Sequence, residues 1–431
     1  MLPSSLKLSR VATATVARTA RLGLTSFKLT SSSPYRLIHD GIIKSPNANP
    51  VALQMIDYAL SLAKSQKTDE SHAQAMLVLE QCLSSQSSEN QDVVTHNSKG
   101  MVLLAMSSLL SARGSYDDAM EKLQNIQDLI PSHLDVRVAA MEALVGLNLE
   151  MGNDDTSSVL ADKCLELIGK VNSDDGSEVA SARAKAIKGL AELVQGNLES
   201  AEPFFQGFLD NKGCIGNAAL SYGEFLHATR NFSLAKDFYQ KVIQEVAKKK
   251  DFTDVRALSA CNMASEEVLL AATCALGQLE VHMGNFGNAE ETLTSALNRA
   301  EQLFGSRHPK VGVVLTCLAL MFQHKAKQEH SSSLLIQEGL YRRAIELLKA
   351  PPLDLEVNRT MRSRMDIIAL ARGGYAETLC IQENRKGEGE KMKRWAEAAW
   401  RNRSLSLSEA LKISDSSNRM PVLDARICRA L

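Results

Sequence analysis

The sequence predicts an all-α protein, an α-solenoid built from stacked antiparallel helix pairs. Three observations lead to this prediction. Hydrophobic residues make up 45% of the 431 residues but aromatic ones only 5%, which suits helices packed through small side chains better than sheets. Gly and Ala recur at fixed offsets along the chain. Short turns that carry Gly or Asn separate the helical segments.

The pattern is clearest in the stretch GQLEVHMGNFGNAEETLTSAL. Gly277 lies seven residues before the turn glycine Gly284, and Ala289 follows five residues later. Leu293 and Ala296 continue on the same helical face, at steps of four and three. We therefore expect a helix, a tight turn and a second antiparallel helix, with small residues where the two backbones approach each other.

The same pattern recurs along most of the chain. The step from Gly189 to Gly223 equals the step from Ala201 to Ala235, and both match a repeat of about 34 residues. Further copies, some of them degenerate, are centred on Ala63 with Ala75, on Gly114, on Gly152, and on Tyr341 with Ala344. A period of this length predicts an array of helical repeats.

The composition of successive segments predicts six parts. We expect a disordered transit peptide at 1–39, a linker at 40–50, helical repeats at 51–350, a Pro-containing linker at 351–361, a C-terminal helical pair or cap at 362–412, and a C-terminal tail at 413–431. The two prolines at the start of 351–361 break the helical pattern there.

The segment 1–39 contains six Lys or Arg and no acidic residue. Lys7, Arg10, Arg18 and Arg21 fall on one arc of a helical wheel, which favours a mitochondrial transit peptide, with a chloroplast peptide or a disordered cytosolic tail as alternatives. Without the six basic residues of 1–39, the chain has 43 basic and 50 acidic residues, and this net negative charge argues against broad nucleic-acid binding. The sequence contains no run of 18 apolar residues, so we predict no membrane span.

Motifs for catalysis or metal binding are absent from the sequence. It has no phosphate-binding loop, no HExxH and no GxSxG. The eight cysteines are scattered singly, which indicates core residues in a reducing compartment. Acidic pairs such as Glu266 and Glu267 are expected on the solvated surface. We therefore predict no enzyme activity, no catalytic residue, no cofactor and no metal site.

These repeats resemble the tetratricopeptide repeat superfamily over roughly residues 51–410. The segment FGSRHPKVGVV resembles the longer repeats of kinesin light chains, and the step from Gly277 to Ala319 is correspondingly longer, about 42 residues. The resemblance implies a right-handed α-solenoid of a plant-type organelle-targeted protein. Gly305 is expected to take a left-handed helix end, with His308 and Pro309 opening the next helix.

In that superfamily the first helices of successive pairs line an inner surface. Taking Gly223, Gly277 and Ala319 as register marks, the resemblance predicts a polar column there, which we call the groove column: Glu224, His227, Gln278, His282, Gln323 and His324. These side chains can hydrogen-bond an extended peptide or a partner helix. The Lys and Asn clamp for chaperone tails is absent, since its sites read Leu220, Glu224, Cys274 and Gln278.

The predicted function is a non-enzymatic scaffold or adaptor that binds a protein partner and assists complex assembly in an organelle. One alternative is an organellar RNA-binding factor that uses a basic region at 341–403, with Trp395 and Trp400 among its arginines. The blander interpretation of that region is a charged cap with core tryptophans. Another alternative is a cytosolic adaptor similar to kinesin light chains.

Overall fold

The computed structural model describes residues 47–86, 92–129, 132–169, 177–246, 258–330, 333–354, 363–402, 405–412 and 419–431. The expected transit peptide, most of the linker at 40–50, most of the linker at 351–361 and the first six residues of the expected tail lie outside the described residues.

Helices follow one another in pairs along the chain. The first four pairs are α1 (Pro50–Gln66) with α2 (Asp69–Ser85), α3 (Val93–Ala112) with α4 (Tyr116–Gln127), α5 (Leu134–Met151) with α6 (Asp154–Gly169), and α7 (Ser177–Val194) with α8 (Leu198–Phe205). The next four are α9 (Asn217–Ala228) with α10 (Phe232–Val246), α11 (Ser265–His282) with α12 (Phe286–Phe304), α13 (Pro309–Glu329) with α14 (Leu334–Leu347), and α15 (Met365–Cys380) with α16 (Lys386–Ala399). A short helix, α17 (Leu407–Ala410), follows.

The order of contacts is that of a solenoid. Each odd-numbered helix packs against the even-numbered helix that follows it, from α1 with α2 to α15 with α16. Each odd-numbered helix also contacts the next odd-numbered helix, so the odd-numbered helices from α1 to α15 form one continuous inner layer. This arrangement confirms the predicted all-α solenoid of stacked antiparallel helix pairs.

Small residues lie where the two helices of a pair cross. A Cβ added at Gly277 would come within 2.6 Å of Leu293 Cγ, and one added at Gly223 within 2.9 Å of the Tyr239 ring. The turn residue Gly284 has a φ of +79°, which an L side chain rarely adopts, and its neighbour's amide closes the end of α11. Glycine is therefore required both at the crossing and at the turn.

The link between α12 and α13 differs from its predicted geometry at one residue. Gly305 has a φ of +85° but a ψ of 156°, so the predicted left-handed helix end is wrong and the chain leaves α12 in an extended direction. His308 Nδ1 accepts a hydrogen bond from the Lys310 amide at 3.2 Å, and Pro309 occupies the first turn of α13. The predicted roles of His308 and Pro309 in opening that helix are confirmed.

Two non-helical segments contact the inner layer. The first, residues 258–264 with a 3-10 turn at Cys261–Met263, contacts α3, α5 and α11. The second, residues 419–431, forms a hairpin of two short antiparallel strands, β1 (Leu423–Asp424) and β2 (Arg429–Ala430), and contacts α11 and α15.

The hairpin corrects the predicted tail. All twelve residues from 420 to 431 are buried, so this part of the chain is a component of the folded core and not a tail beyond the repeats. The physical reason is that most of these residues are apolar, that the inner layer offers partners for Arg426 and Arg429, and that Asp424 pairs with Arg426 inside the hairpin. We call residues 419–431 the groove hairpin.

Candidate functional site

The groove column lies on three neighbouring inner helices. Its members come in pairs: Glu224 and His227 on α9, Gln278 and His282 on α11, and Gln323 and His324 on α13. Four of the six are buried and the other two, His282 and His324, are half-buried. The column thus runs across all three helices, and the burial of its members shows that other parts of the same chain cover it.

Gln278 binds the main chain of the groove hairpin. Its Nε2 donates to the carbonyl oxygen of Leu423 at 2.9 Å, and its Oε1 accepts from the Leu423 amide at 2.8 Å. Near the start of the hairpin, the Met420 amide donates to the carbonyl oxygen of Ala228 at 3.0 Å. A side-chain amide that satisfies both polar groups of one residue holds an extended backbone whatever its side chain is.

Glu224 binds the most deeply buried charge of the hairpin. Arg426 and Glu224 are both 0% exposed, and an Arg426 guanidinium nitrogen lies 2.6 Å from Glu224 Oε2. The same guanidinium pairs with Asp424 at 2.9 Å. It also donates to Asn217 Oδ1 at 2.9 Å and to Ser221 Oγ at 3.3 Å, both on α9. Three groups of α9 thus converge on one guanidinium.

One guanidinium lies between two buried carboxyl groups in this cluster. Burial raises the pKa of Glu224 well above its usual value, against the opposing attraction of Arg426. Burial alone would lower the pKa of Arg426, but the carboxylates of Asp424 and Glu224 raise it above its usual value. One cation therefore serves two buried carboxylates, and removing it would leave both without a counter-ion.

A second hairpin arginine joins distant helix pairs. Arg429 Nε lies 2.8 Å from Asp366 on α15, and its two terminal nitrogens lie 2.7 and 3.1 Å from the oxygens of Asp154 on α6. The guanidinium also donates to the carbonyl oxygen of Leu149 at 3.0 Å. The hairpin thereby connects the third pair of the array to the eighth.

The histidines of the column form a neutral chain. His227 Nε2 and His282 Nδ1 are 2.7 Å apart, and His227 Nδ1 lies 3.2 Å from the Tyr239 hydroxyl. Burial, and then the neighbouring His282, lowers the pKa of His227 well below its usual value. Burial lowers the pKa of His282 to about 4 and that of His324 to about 3. His227 and His282 therefore act as neutral hydrogen-bonding groups, and low pKa values keep all three rings uncharged near neutral pH.

The far end of the column serves the next helix pair. Gln323 Nε2 donates to Glu377 on α15 at 2.6 Å, and its Oε1 accepts from the Tyr341 hydroxyl. Next to it, a cavity of about 20 Å³ lies between His324 and the hairpin. This is room for about one water molecule, so the hairpin fills the groove tightly.

The hairpin and its anchors were not predicted from the sequence. The sequence does not mark the anchor residues, because each is an ordinary polar residue in a helix: Asn217, Ser221, Asp154 and Asp366. The hairpin itself offered one: MPVLDARICRAL contains only three charged residues in twelve, a composition more typical of a buried segment than of a tail.

The acidic pair on α11 also differs from its prediction. Glu267 Oε2 lies 2.6 Å from Lys310 Nζ, and Lys310 is only 3% exposed. Burial raises the pKa of Glu267 to about 7, while Lys310 opposes the rise. The solvated interpretation is therefore wrong for Glu267, which forms a buried ion pair between the sixth and seventh helix pairs.

The two tryptophans of the basic region have structural surroundings. Trp395 is buried, and the Arg372 guanidinium lies 3.8 Å from its ring centroid. Trp400 is half-buried and donates from Nε1 to the carbonyl oxygen of Leu405 at 2.7 Å. Trp395 is a core residue of the eighth pair, as the interpretation of a charged cap with core tryptophans predicts.

Three further observations concern the described residues alone. No helix among them is both long enough and apolar enough to cross a bilayer. No group of three or more His, Cys, Asp or Glu among them is placed to hold a metal ion. The eight cysteines form no disulfide; seven are buried and Cys380 is half-buried.

No protein-family model and no curated protein matches the chain. Among solved structures, the crystal structure of BtubC (BKLC) from P. vanneervenii is similar over 66% of this chain and 88% of that one, at 12% identity and a TM-score of 0.33. A likeness at that score carries no argument, so the fold assignment rests on the helix pairs themselves.

Proposed function

We propose that this chain is a non-enzymatic helical-repeat scaffold or adaptor that binds a polypeptide segment of a partner protein and assists assembly of a complex. The observation that carries the proposal is the double hydrogen bond from Gln278 to the main chain of Leu423. It supports the proposal because every polypeptide presents the same pair of groups, so the inner layer has the chemistry to hold an extended segment.

The charged groups of the groove support a binding role over a catalytic one. Glu224 is paired with Arg426, and Asp366 with Arg429. A general acid or base must reach a substrate proton, whereas these carboxylates are buried against guanidinium groups. The proposal therefore includes no catalytic step and no cofactor.

The compartment in the proposal is the mitochondrion, with the chloroplast as the alternative. It is supported by the sequence of residues 1–39 alone. A fusion of these residues to a fluorescent reporter tests it by imaging. Import into mitochondria is the expected result, and a diffuse cytosolic signal would favour the kinesin-light-chain-like adaptor instead.

The binding role is tested by finding and mapping the partner. Proximity labelling inside the organelle supplies candidates, and a purified candidate is then cross-linked to the purified protein. We expect cross-links to the inner helices α9, α11 and α13. Cross-links confined to the outer, even-numbered helices would contradict a groove-binding scaffold.

The same purified protein tests the RNA alternative. Filter binding to RNA across a salt series should show no binding, because the chain beyond residue 39 carries a net negative charge. Salt-sensitive binding that is lost when Arg394 and Arg401 are replaced by glutamate would contradict the proposal and favour an RNA-binding factor.

A further inference from the structure

We propose that the groove hairpin is the resident ligand of the inner groove, and that a partner segment enters only by displacing it and by placing its own arginine against Glu224. The competition presupposes the proposed function. It specifies the partner's chemistry: a turn-forming segment whose arginine lies two residues after an aspartate, as Arg426 lies after Asp424 in the turn of the hairpin.

The requirement for a cation follows from burial. Glu224 is 0% exposed, and its second oxygen, Oε1, has no hydrogen-bond partner among the described residues. An occupant without a positive charge would leave this carboxylate unpaired in the core. Asn217 and Ser221 add acceptors on the same helix, and such a ring of oxygens suits a planar guanidinium better than an ammonium.

The requirement for an aspartate follows from the geometry of the turn. Asp424 Oδ1 accepts from the Arg426 amide at 2.7 Å, and both Asp424 oxygens accept from the Arg426 side chain at 2.9 to 3.2 Å. The ligand thus holds its own arginine in the orientation that reaches Glu224. An arginine in a flexible peptide would lose this orientation.

The hairpin is built to leave as one unit. Its strand pairing is internal, with Leu423 opposite Ala430 and Asp424 opposite Arg429. Its anchors on the helices are mainly side-chain contacts, namely those of Gln278, Glu224, Asp154 and Asp366. Undocking therefore breaks these anchors, the backbone hydrogen bond from Met420 to Ala228 and the apolar contacts of the hairpin, and leaves the backbone hydrogen bonds within the helix pairs intact.

Because the hairpin is tethered to the same chain, weakly binding competitors are excluded from the groove. A segment joined to the same chain is present at a millimolar effective concentration, so a free peptide of equal intrinsic affinity is excluded. A partner must bind more tightly than the hairpin, or the hairpin must first be weakened. The Arg426→Met variant weakens it, because the side chain keeps its approximate volume and loses its charge.

Peptide binding to the full-length chain tests the competition. A fluorescein-labelled synthetic peptide of residues 419–431 is titrated into the wild type and into Arg426→Met, and binding is followed by fluorescence anisotropy. Loss of the buried pair weakens docking of the tethered hairpin by on the order of 100-fold or more. We expect the peptide to bind the variant at least about 100-fold more tightly than the wild type.

Two controls accompany this titration. The same peptide carrying Arg426→Met should bind neither protein, and the variant Arg342→Met, which removes an exposed arginine on α14, should behave as the wild type does. Equal affinity of the intact peptide for the wild type and the folded Arg426→Met chain, or no binding to that folded chain, would overturn the proposal.

Hydrogen exchange on the wild type decides the question if Arg426→Met does not fold. The amides of Met420, Leu423 and Leu431 should exchange together, at least about 10-fold faster than the central amides of α9 and α11. Exchange of all these amides at one common rate would show that the hairpin opens only with the whole array, and would overturn the proposal. Partner cross-links to the inner helices would then still test the proposed function separately.

Discussion

Replacing Arg426 by methionine should destabilise the protein by about 3 to 5 kcal/mol at pH 7. The guanidinium is fully buried, and its loss leaves Glu224 and Asp424, both 0% exposed, without a counter-ion. A buried carboxylate in that position takes up a proton instead of remaining charged. Burial already holds the pKa of Glu224 above its usual value in the wild type, and removing the arginine should raise it further.

Urea denaturation followed by circular dichroism measures this loss. Arg342→Met is the matched control: this arginine is 67% exposed and pairs with Glu338 one helical turn away. An ion pair that involves so exposed an arginine contributes little to stability, because solvent screens it. The midpoint for Arg426→Met should therefore fall well below those of the wild type and the control.

The loss of stability caused by Arg426→Met should also change with pH in a definite direction. Because loss of Arg426 raises the pKa of Glu224 further, the variant binds this proton at a higher pH than the wild type does, so the penalty of Arg426→Met should be smaller at pH 5 than at pH 7. Comparing variant and wild type at each pH removes the contributions of all other groups. A penalty equal to that of Arg342→Met, or one that does not change with pH, would refute the assignment of a buried charge cluster.

Two further predictions concern the repeat core and the column. Gly277→Ala should lower the free energy of unfolding, measured by urea denaturation, by about 1 to 3 kcal/mol, because the new Cβ would meet Leu293 at 2.6 Å. The control Gly287→Ala, where nothing lies within 4 Å, should be neutral or stabilising. Equal effects of the two substitutions would contradict the packing. His282 has a folded-state pKa of about 4, below its unfolded value near 6.5, so its contribution to stability is present above pH 6.5 and is lost as pH falls. The wild type should therefore lose about 1.5 kcal/mol more than His282→Asn between pH 6.5 and 5, and equal losses would contradict a buried neutral ring.

The repeat core could be predicted because its physical causes are local. A glycine such as Gly277 and the leucine that it faces, Leu293, lie on the two helices of a single repeat. The turn at Gly284 depends on one residue's φ. Such features recur at steps of about 34 to 42 residues, so the sequence shows them several times over, and this redundancy compensates for each weak match.

The contents of the groove could not be predicted in the same way. Glu224 and Gln278 were recognisable as polar residues on an apolar inner layer, and both lie on inner helices that the hairpin contacts. Their partners, Arg426 and Leu423, are 202 and 145 residues away, and no repeat carries a second copy of either contact among the described residues. A single long-range ion pair leaves no periodic trace, so the column was interpreted as a surface for another protein.

The ionisable groups at helix ends show the same limit. Glu267 follows another glutamate near the start of α11, a context that is usually solvated. Its burial depends on Lys310, which lies at the start of α13, 43 residues later. Only the stacking of the sixth pair on the seventh brings the two together, and the sequence of either helix alone does not specify that contact.

A double-mutant cycle between Arg426 and Glu224 tests most directly whether residues 419–431 occupy the groove. The free energy of unfolding is measured for the wild type, Arg426→Met, Glu224→Gln and the double variant. The contact at 2.6 Å predicts an interaction free energy of at least about 1 kcal/mol between these two residues. An interaction free energy within about 0.3 kcal/mol of zero would mean that the two side chains do not meet, and would contradict the filled groove.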